Sequence, residues 1–195
     1  MSSSSPEVVL VRHAETEWSL SGRHTGRTDV SLTERGRERA VALGLALATR
    51  QFELVLTSPL VRATETCRLA GFDEVAVLRD ELREWDYGSY EGRKTIEIRE
   101  ELPGWSLWRD GVPGGETADD VAARVDRVLA EIGSVAGDAL VFSHGHLLRV
   151  FTARWLGLEP SAGRLFALDP GSLSVLGHER ETPVVRLWNS RVLFE

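Results

Sequence analysis

Cysteine is nearly missing from this chain. The single thiol, Cys67, excludes an intramolecular disulfide and leaves no Cys pair to begin a zinc site, so it is expected to pack as a small apolar residue. Long apolar runs are missing too, none approaching the roughly 18 residues of a membrane span. The first residues offer neither a basic n-region nor an apolar h-region, so no secretory signal is expected and the predicted location is cytoplasmic. Basic charge falls short of acidic charge, 23 Lys and Arg against 30 Asp and Glu, for a net charge of -7. That balance speaks against nucleic-acid and membrane partners, although an anionic small molecule can still be held where basic groups converge. No repeat or linker is visible, and low complexity is confined to Ser2–Ser5, which with Met1 and Pro6 is expected to form a disordered tail over 1–6. These absences leave one domain over 1–195, large enough for a substantial core.

What is present begins at Val8-Val9-Leu10-Val11-Arg12-His13. An apolar, β-branched run of this kind suits a strand covered on both faces, as in a parallel sheet. It stops at two side chains suited to binding and attacking an anion. In open α/β sheets ligands gather beyond the carboxyl ends of strands, where Arg12 and His13 would lie. The polar loop Ser19–Asp29 follows. Ser31-Leu32-Thr33-Glu34 reads as a capping box with Ser31 as cap, opening a helix that runs to about Thr49. A strand over Phe52–Thr57 is broken by Ser58-Pro59, and a helix over Val61–Ala70 carries Arg62 in its first turn.

Gly71–Leu78 is predicted as a short strand. Glu81–Gly92 fits neither period, and irregular segments of this kind more often hold function than core. The region from about 81 to 115 reads as an active-site lid or insertion, with Trp85, Trp105 and Trp108 as candidate walls of an entrance. Val121, Val125, Val128, Leu129 and Ile132 form one helical stripe behind Glu116-Thr117. Ala139–Ser143 is a strand ending at His144-Gly145-His146, followed by a helix over about Leu147–Leu156 that stops at Gly157. Ser172–Leu176 and Val184–Trp188 alternate as strands after the Pro170-Gly171 turn. Strands alternating with helices indicate a three-layer α/β/α sandwich with a mostly parallel central sheet.

Two strands therefore end in histidine, at His13 and His144, and one helix begins near Arg62. If they are neighbours, two arginines and two histidines surround one point, a donor set suited to a phosphoryl group. Nearby Arg12 and Arg62 would keep His13 neutral, and attack by its ring on phosphorus would give a phosphohistidine. A proton donor is still required; Glu84, partly desolvated beside Trp85, is the best candidate, with Asp86 and Glu91 as competitors that spacing does not exclude. Metal hydrolysis is a separate alternative, because His144 and His146 two apart on a strand share a face, but His24 and His178 are isolated and no further ligand cluster is seen. No cofactor is expected.

The chain resembles the histidine phosphatase superfamily, of phosphoglycerate mutase-like fold. The resemblance is carried by Val11-Arg12-His13-Ala14-Glu15-Thr16, Thr25-Gly26, Leu32-Thr33 with Gly36, and Ser58-Pro59-Leu60 with Arg62, Ala63 and Thr66. Glu84 with Tyr87-Gly88, and Ser143-His144-Gly145, complete it in family order. It implies His13 as the phosphorylated residue, Arg12, Arg62 and His144 around the phosphate, and Glu84 as proton donor. Ser19, Thr25, Gly26, Tyr87, Gly145 and His146 fall at substrate-contact positions. Ala14 replaces the usual glycine, and Ser19 and His146 stand where mutases carry asparagine. The paired lid arginines of mutases are replaced by Trp108-Arg109-Asp110-Gly111, which points to a phosphatase similar to the sugar-bisphosphatase-like branch. The expected partner is a small phosphate ester, a sugar phosphate or bisphosphate allowed by Arg23, His24, Arg83, Arg93, Trp108 and His146. A cofactor-dependent mutase and a non-catalytic phosphate-binding module are the alternatives, and a homo-oligomer is compatible with the sequence.

Overall fold

The structure, a computed structural model, describes residues 5–191. Most of the expected tail, residues 1–4, lies outside the described residues; Ser5 and Pro6 are exposed and lead into the first strand. Six strands form one sheet: β1 Val8–Arg12, β2 Leu54–Thr57, β3 Val77–Leu78, β4 Ala139–Ser143, β5 Leu173–Glu179 and β6 Thr182–Ser190, in the order β3-β2-β4-β1-β5-β6. β1, β4, β2 and β3 are parallel, while β5 runs antiparallel to β1 and β6 antiparallel to β5. The predicted mostly parallel sheet is therefore present.

Among the described residues seven α-helices accompany it: α1 Glu17–Ser21, α2 Glu34–Leu47, α3 Val61–Leu69, α4 Thr95–Glu101, α5 Leu107–Asp110, α6 Ala118–Ile132 and α7 Gly145–Trp155. The pleat of β1 explains the layers. Val8 and Leu10 join Val121, Val125 and Val128 of α6 and Leu148 and Phe151 of α7 in one buried cluster. Val9 and Val11 face the other way, onto Leu43 and Leu47 of α2 and Cys67 of α3. Alternate side chains thus serve opposite layers. Each buried Val or Leu contributes about 1.5–3 kcal/mol. Cys67 packs in this second cluster, with its thiol pushed up to about 12 by burial.

Several boundaries differ from the sequence reading. The cap of α2 is Thr33, since its hydroxyl accepts from Gly36 N and donates to Glu15 Oε1, while Ser31 stays exposed. The strand predicted over 71–78 is reduced to Val77–Leu78, because Phe72 O accepts from Val75 and Ala76 N–H and turns the chain. α7 starts two residues early, at Gly145, because a distant carboxylate caps it, as described below. It ends with Gly157 in the left-handed region at φ 69. Residues 81–115 hold short 3-10 turns and α4 and α5. Leu82, Trp85, Tyr87, Trp105 and Leu107 nevertheless belong to the same cluster as β1. Trp85 and Trp105 are core residues, so they do not wall an entrance. Among the described residues no helix is long and apolar enough to cross a membrane.

Candidate active site

The sheet register sets the site. β1 and β4 pair Arg12 with Ser143, so the next residues, His13 and His144, leave the sheet side by side. His13 N donates to Ser143 O at 2.8 Å, and the two imidazole centroids are 5.2 Å apart. Thr66 of α3 ties down the following turn, accepting from Ala14 N and donating to Arg62 O. A cavity of about 230 Å³ opens here, lined by Arg12, His13, Glu84, Tyr87, Gly145 and His146 among others.

His13 is 4% exposed, and its pKa is held well below the usual imidazole value by burial first, then by the Arg62 and Arg12 charges. It is neutral at pH 7. Its Nδ1 lies 2.8 Å from Ala14 O. A carbonyl can only accept, so Nδ1 carries the proton and Nε2 keeps a free lone pair.

Arg62 is fully buried without a carboxylate partner among the described residues. Its Nη1 donates to Thr28 O, and its Nη2 to Thr25 O and Gly26 O, each at 2.9 Å. Its Nε donates to His144 Nδ1 at 3.2 Å. Because arginine only donates, His144 carries its proton on Nε2 and gives it to Ser58 Oγ at 2.7 Å. Burial, then Arg62, depresses the His144 pKa well below the imidazole range. Arg62 and His144 thus both lie outside the residues lining the cavity.

Arg12 lines the cavity directly. Nη1 donates to Leu168 O, while Nε is buried with no hydrogen-bond partner. The guanidinium lies against Gly145, where an added Cβ would come within 3.1 Å of its central carbon and make the guanidinium give by a few tenths of an ångström.

Glu84, 7% exposed, is fixed from two sides. Oε1 accepts from Trp85 N and Leu147 N, and Oε2 from His146 N. The carboxylate therefore caps α7. Its surroundings are more polar than the desolvating pocket that the neighbouring Trp85 suggested. Asp86 and Glu91 are engaged elsewhere. Asp86 pairs with Arg27 and accepts from Gly88 N, and Glu91 accepts from Gly26 N and Thr28 N. Neither lines the cavity.

The substrate-contact candidates divide. Ser19, Thr25, Tyr87, Gly145 and His146 line the cavity, but the Ser19 hydroxyl is occupied in the Thr16 capping box. Gly26 lies behind the wall, its N–H on Glu91 and its carbonyl on Arg62. Tyr87 OH and His146 Nδ1 are 2.6 Å apart, and burial pushes the Tyr87 hydroxyl well above its ordinary pKa. His24 packs on Tyr87 with centroids 4.7 Å apart, its pKa lowered to about 4 by burial. Of the residues left open for sugar recognition, Arg23 and His24 reach the cavity; Arg83 and Arg93 are bound to Asp80 and Glu101 instead.

Arg149, Thr95 and Leu168 also line the cavity and were missed. Arg149 was detectable in principle, one helical turn past His146 on a helix that starts at the site. Leu168 carried no signal. Among the described residues no group of three or more His, Cys, Asp or Glu is placed to hold a metal, and His144 and His146 bond in different networks.

A family model, the histidine phosphatase superfamily (branch 1), matches residues 8–191. An acid phosphatase of Mycobacterium tuberculosis is 42% identical over 178 residues, covering 88% of this chain and 86% of that protein. The sedoheptulose 1,7-bisphosphatase of Saccharomyces cerevisiae is 38% identical over 191 residues, covering 81% of this chain and 70% of the yeast protein. Among solved structures, an open reading frame product of Mycobacterium tuberculosis superposes with a TM-score of 0.92 at 36% identity. It covers 96% of this chain and 99% of its own.

Proposed function

The chain belongs to the histidine phosphatase superfamily as a phosphoric monoester hydrolase, and from that premise we propose that it hydrolyses a small sugar phosphate or bisphosphate through a phosphohistidine at His13. The observation that carries this reading is the His13 ring, with Nδ1–H spent on Ala14 O and Nε2 left bare in a cavity shared with Arg12 and Glu84. Nε2 attacks phosphorus and the ester P–O bond breaks. Arg12 Nε and Nη2 are the donors offered to the phosphoryl oxygens from the cavity wall, with the one Arg62 Nη1–H that the loop does not take in reserve and His144 orienting Arg62 from its Ser58 anchor. Glu84 is the group that gives a proton to the departing alkoxide. As carboxylate it then takes a proton from the water that attacks phosphorus, the P–N bond breaks, and neutral His13 returns with inorganic phosphate released.

The same reading treats the chain as one domain, with residues 81–115 covering the site and contributing Glu84, Tyr87 and Thr95 to it. It retains a cytoplasmic enzyme, with no nucleic-acid or membrane partner and self-association left to measurement. Hydrolysis is favoured over mutase chemistry because Arg109, the sole arginine of the Trp108–Gly111 stretch, is exposed and paired with Asp110.

Rapid quenching of turnover with phosphate-labelled ester is expected to trap an acid-labile, base-stable label on His13. Label persisting in His13→Ala would remove the nucleophile assignment. Isomerised phosphoglycerate forming faster than free phosphate would establish the mutase instead. Loss of activity in chelator would revive metal hydrolysis.

A further inference from the structure

β6 approaches the site through one irregular residue. Between the Leu173–Ser190 and Val175–Leu187 pairs, β5 advances two residues and β6 three, so β6 carries a bulge. Asn189 occupies it with φ 53. Among the described residues one other non-glycine residue has positive φ, Arg180 in the turn between β5 and β6. A side chain disfavours that left-handed backbone, and asparagine tolerates it better than most.

The Asn189 amide meets Asp169 twice. Its Oδ1 accepts from Asp169 N at 2.7 Å, and its Nδ2 donates to Asp169 Oδ2 at 3.2 Å. The amide fits only this way round, because the backbone N–H only donates and the carboxylate only accepts. Asn189 N donates to the buried Ser174 hydroxyl at 3.0 Å, fixing the bulge on β5. Trp188 Nε1 donates to Ala167 O at 2.6 Å. The bulge thus grips Ala167 and Asp169, the two neighbours of Leu168, whose carbonyl accepts from Arg12 Nη1. The loop closes onto the end of β1, with Gly171 N on His13 O and Arg12 N on Ser172 O.

Asp169 also bears on Arg12 through its charge. Burial lowers the Arg12 pKa, and the charges of Glu84, Tyr87 and Asp169 oppose that. The Asp169 carboxylate is nevertheless spent on Asn189 and on Arg191, 2.9 Å away, and not on Arg12. Released from them, it would compete with any anion that the buried guanidinium binds.

We propose that Asn189 is a positioning residue for Arg12. By holding Asp169 at its backbone and its carboxylate, it sets the Leu168 carbonyl on Nη1 and keeps the acid off the guanidinium. Nε and Nη2 are then left for phosphate. This rests on the reading of Arg12 as a phosphoryl ligand. Asn189 itself lies outside the residues lining the cavity, so it acts without touching substrate.

Inorganic phosphate is titrated calorimetrically into the wild type, Asn189→Gly, Arg12→Lys and the double variant, with kcat/KM for 4-nitrophenyl phosphate measured alongside. Glycine keeps the backbone angle and removes both side-chain bonds. Asn189→Gly is expected to raise the phosphate Kd, and to lower kcat/KM, by about 10-fold. In the Arg12→Lys background the same change should cost less than about 2-fold, since its effect passes through the guanidinium. Asp169→Asn added to Asn189→Gly should restore part of the phosphate affinity, whereas a residue that only supported the fold would give a further loss. Full additivity with Arg12→Lys, a further loss on Asp169→Asn, or wild-type affinity in Asn189→Gly would each overturn the proposal. If the glycine variant does not fold, Asn189→Asp keeps the acceptor for Asp169 N and opposes two carboxylates. It should weaken phosphate binding likewise, and wild-type affinity there would be equally fatal. Weakened binding in Arg12→Lys with none in Asn189→Gly keeps Arg12 as phosphate ligand and removes Asn189. Wild-type affinity in Arg12→Lys removes both.

Discussion

Two buried arginines, Arg62 at the site and Arg124 beneath it, show how differently one fold treats the same cation. Arg124 of α6 is fully served. Glu116 takes Nε and Nη2 as a fork, and the carbonyls of Glu81, Arg83 and Glu84 take the remaining donors. Its charge is cancelled, and its hydrogen bonds hold the chain that presents Glu84. Arg62 is as deeply buried but meets only carbonyls and an imidazole, with one Nη1–H to spare. Arg12, with a bare buried Nε, repeats the pattern. Burying a charge without a counter-ion is costly, so the foundation adds stability and the site consumes it.

Replacing one group on each side should separate the two regions most widely. His13→Ala is expected to lower turnover by about 10⁴-fold or more while leaving thermal stability close to wild type. Arg124→Met should do the opposite, destabilising the fold by about 1–3 kcal/mol because the carbonyls of Glu81, Arg83 and Glu84 lose their donor while half-buried Glu116 keeps only Asp86 N, with Glu116→Leu in the same chain restoring part of it. Denaturant titration and initial rates on both variants check this. A stable Arg124→Met would contradict the structural role.

A smaller effect comes from supplying the anion. Inorganic phosphate or vanadate at about 100 times its Kd should stabilise the wild type by about 2.7 kcal/mol, and Arg62→Met should lose most of that gain. An unchanged melting temperature would mean that the arginines are satisfied without a ligand.

Protons distinguish the regions too. His13, His24, His144 and His146 have folded values below the ordinary imidazole 6.5, all with burial as the leading cause. Between the folded and unfolded values the unfolded chain therefore binds more protons. Stability from these groups is complete above pH 6.5 and is lost as the pH falls, for His24 down to about 4. Each adds a slope of up to about 1.4 kcal/mol per pH unit. Melting temperatures between pH 7.5 and 5 should be flat and then descend. The acid limb of kcat/KM should lie below 6.5, and a limb at 6.5 would count against a buried neutral His13.

The smallest expected change is at Glu91. Its carboxylate holds Gly26 N and Thr28 N, whose loop carbonyls grip Arg62, and a Cβ at Gly26 would meet both Glu91 and Trp85 O within 2.7 Å. Glu91→Ala should reduce kcat/KM by about 10-fold, roughly one charged hydrogen bond, by loosening Arg62. Because Glu91 lies outside the cavity, an altered preference among leaving groups would instead make it a proton donor.

The contrast between the arginines also marks what the sequence could convey. Strand ends are local signals, so Arg12, His13 and His144 could be placed at one edge of the sheet before their neighbours were known. Arg62 was legible from its motif and helix position. Its carbonyl clamp was not, since Thr25, Gly26 and Thr28 are linked to it by backbone atoms that every residue has. Glu84 as the cap of α7 was equally hidden: capping patterns are local, and this cap comes from more than sixty residues away. The early start of α7 at Gly145 has the same origin. Trp85 and Trp105 were misplaced because aromatic residues in an irregular segment look alike whether they turn inward or outward.

The position of β1 has a consequence for how the chain comes to exist. Its two neighbours, β4 and β5, are both made later, at residues 139–143 and 173–179. During synthesis Val8-Val9-Leu10-Val11 must wait, unpaired on both edges, until most of the chain has left the ribosome. Pairings this distant form slowly and leave apolar edges open to other chains. The strand that ends at His13 is therefore also the segment most in need of protection in a newborn chain. Before β4 arrives, His13 has no partner across the sheet, and the site does not yet exist.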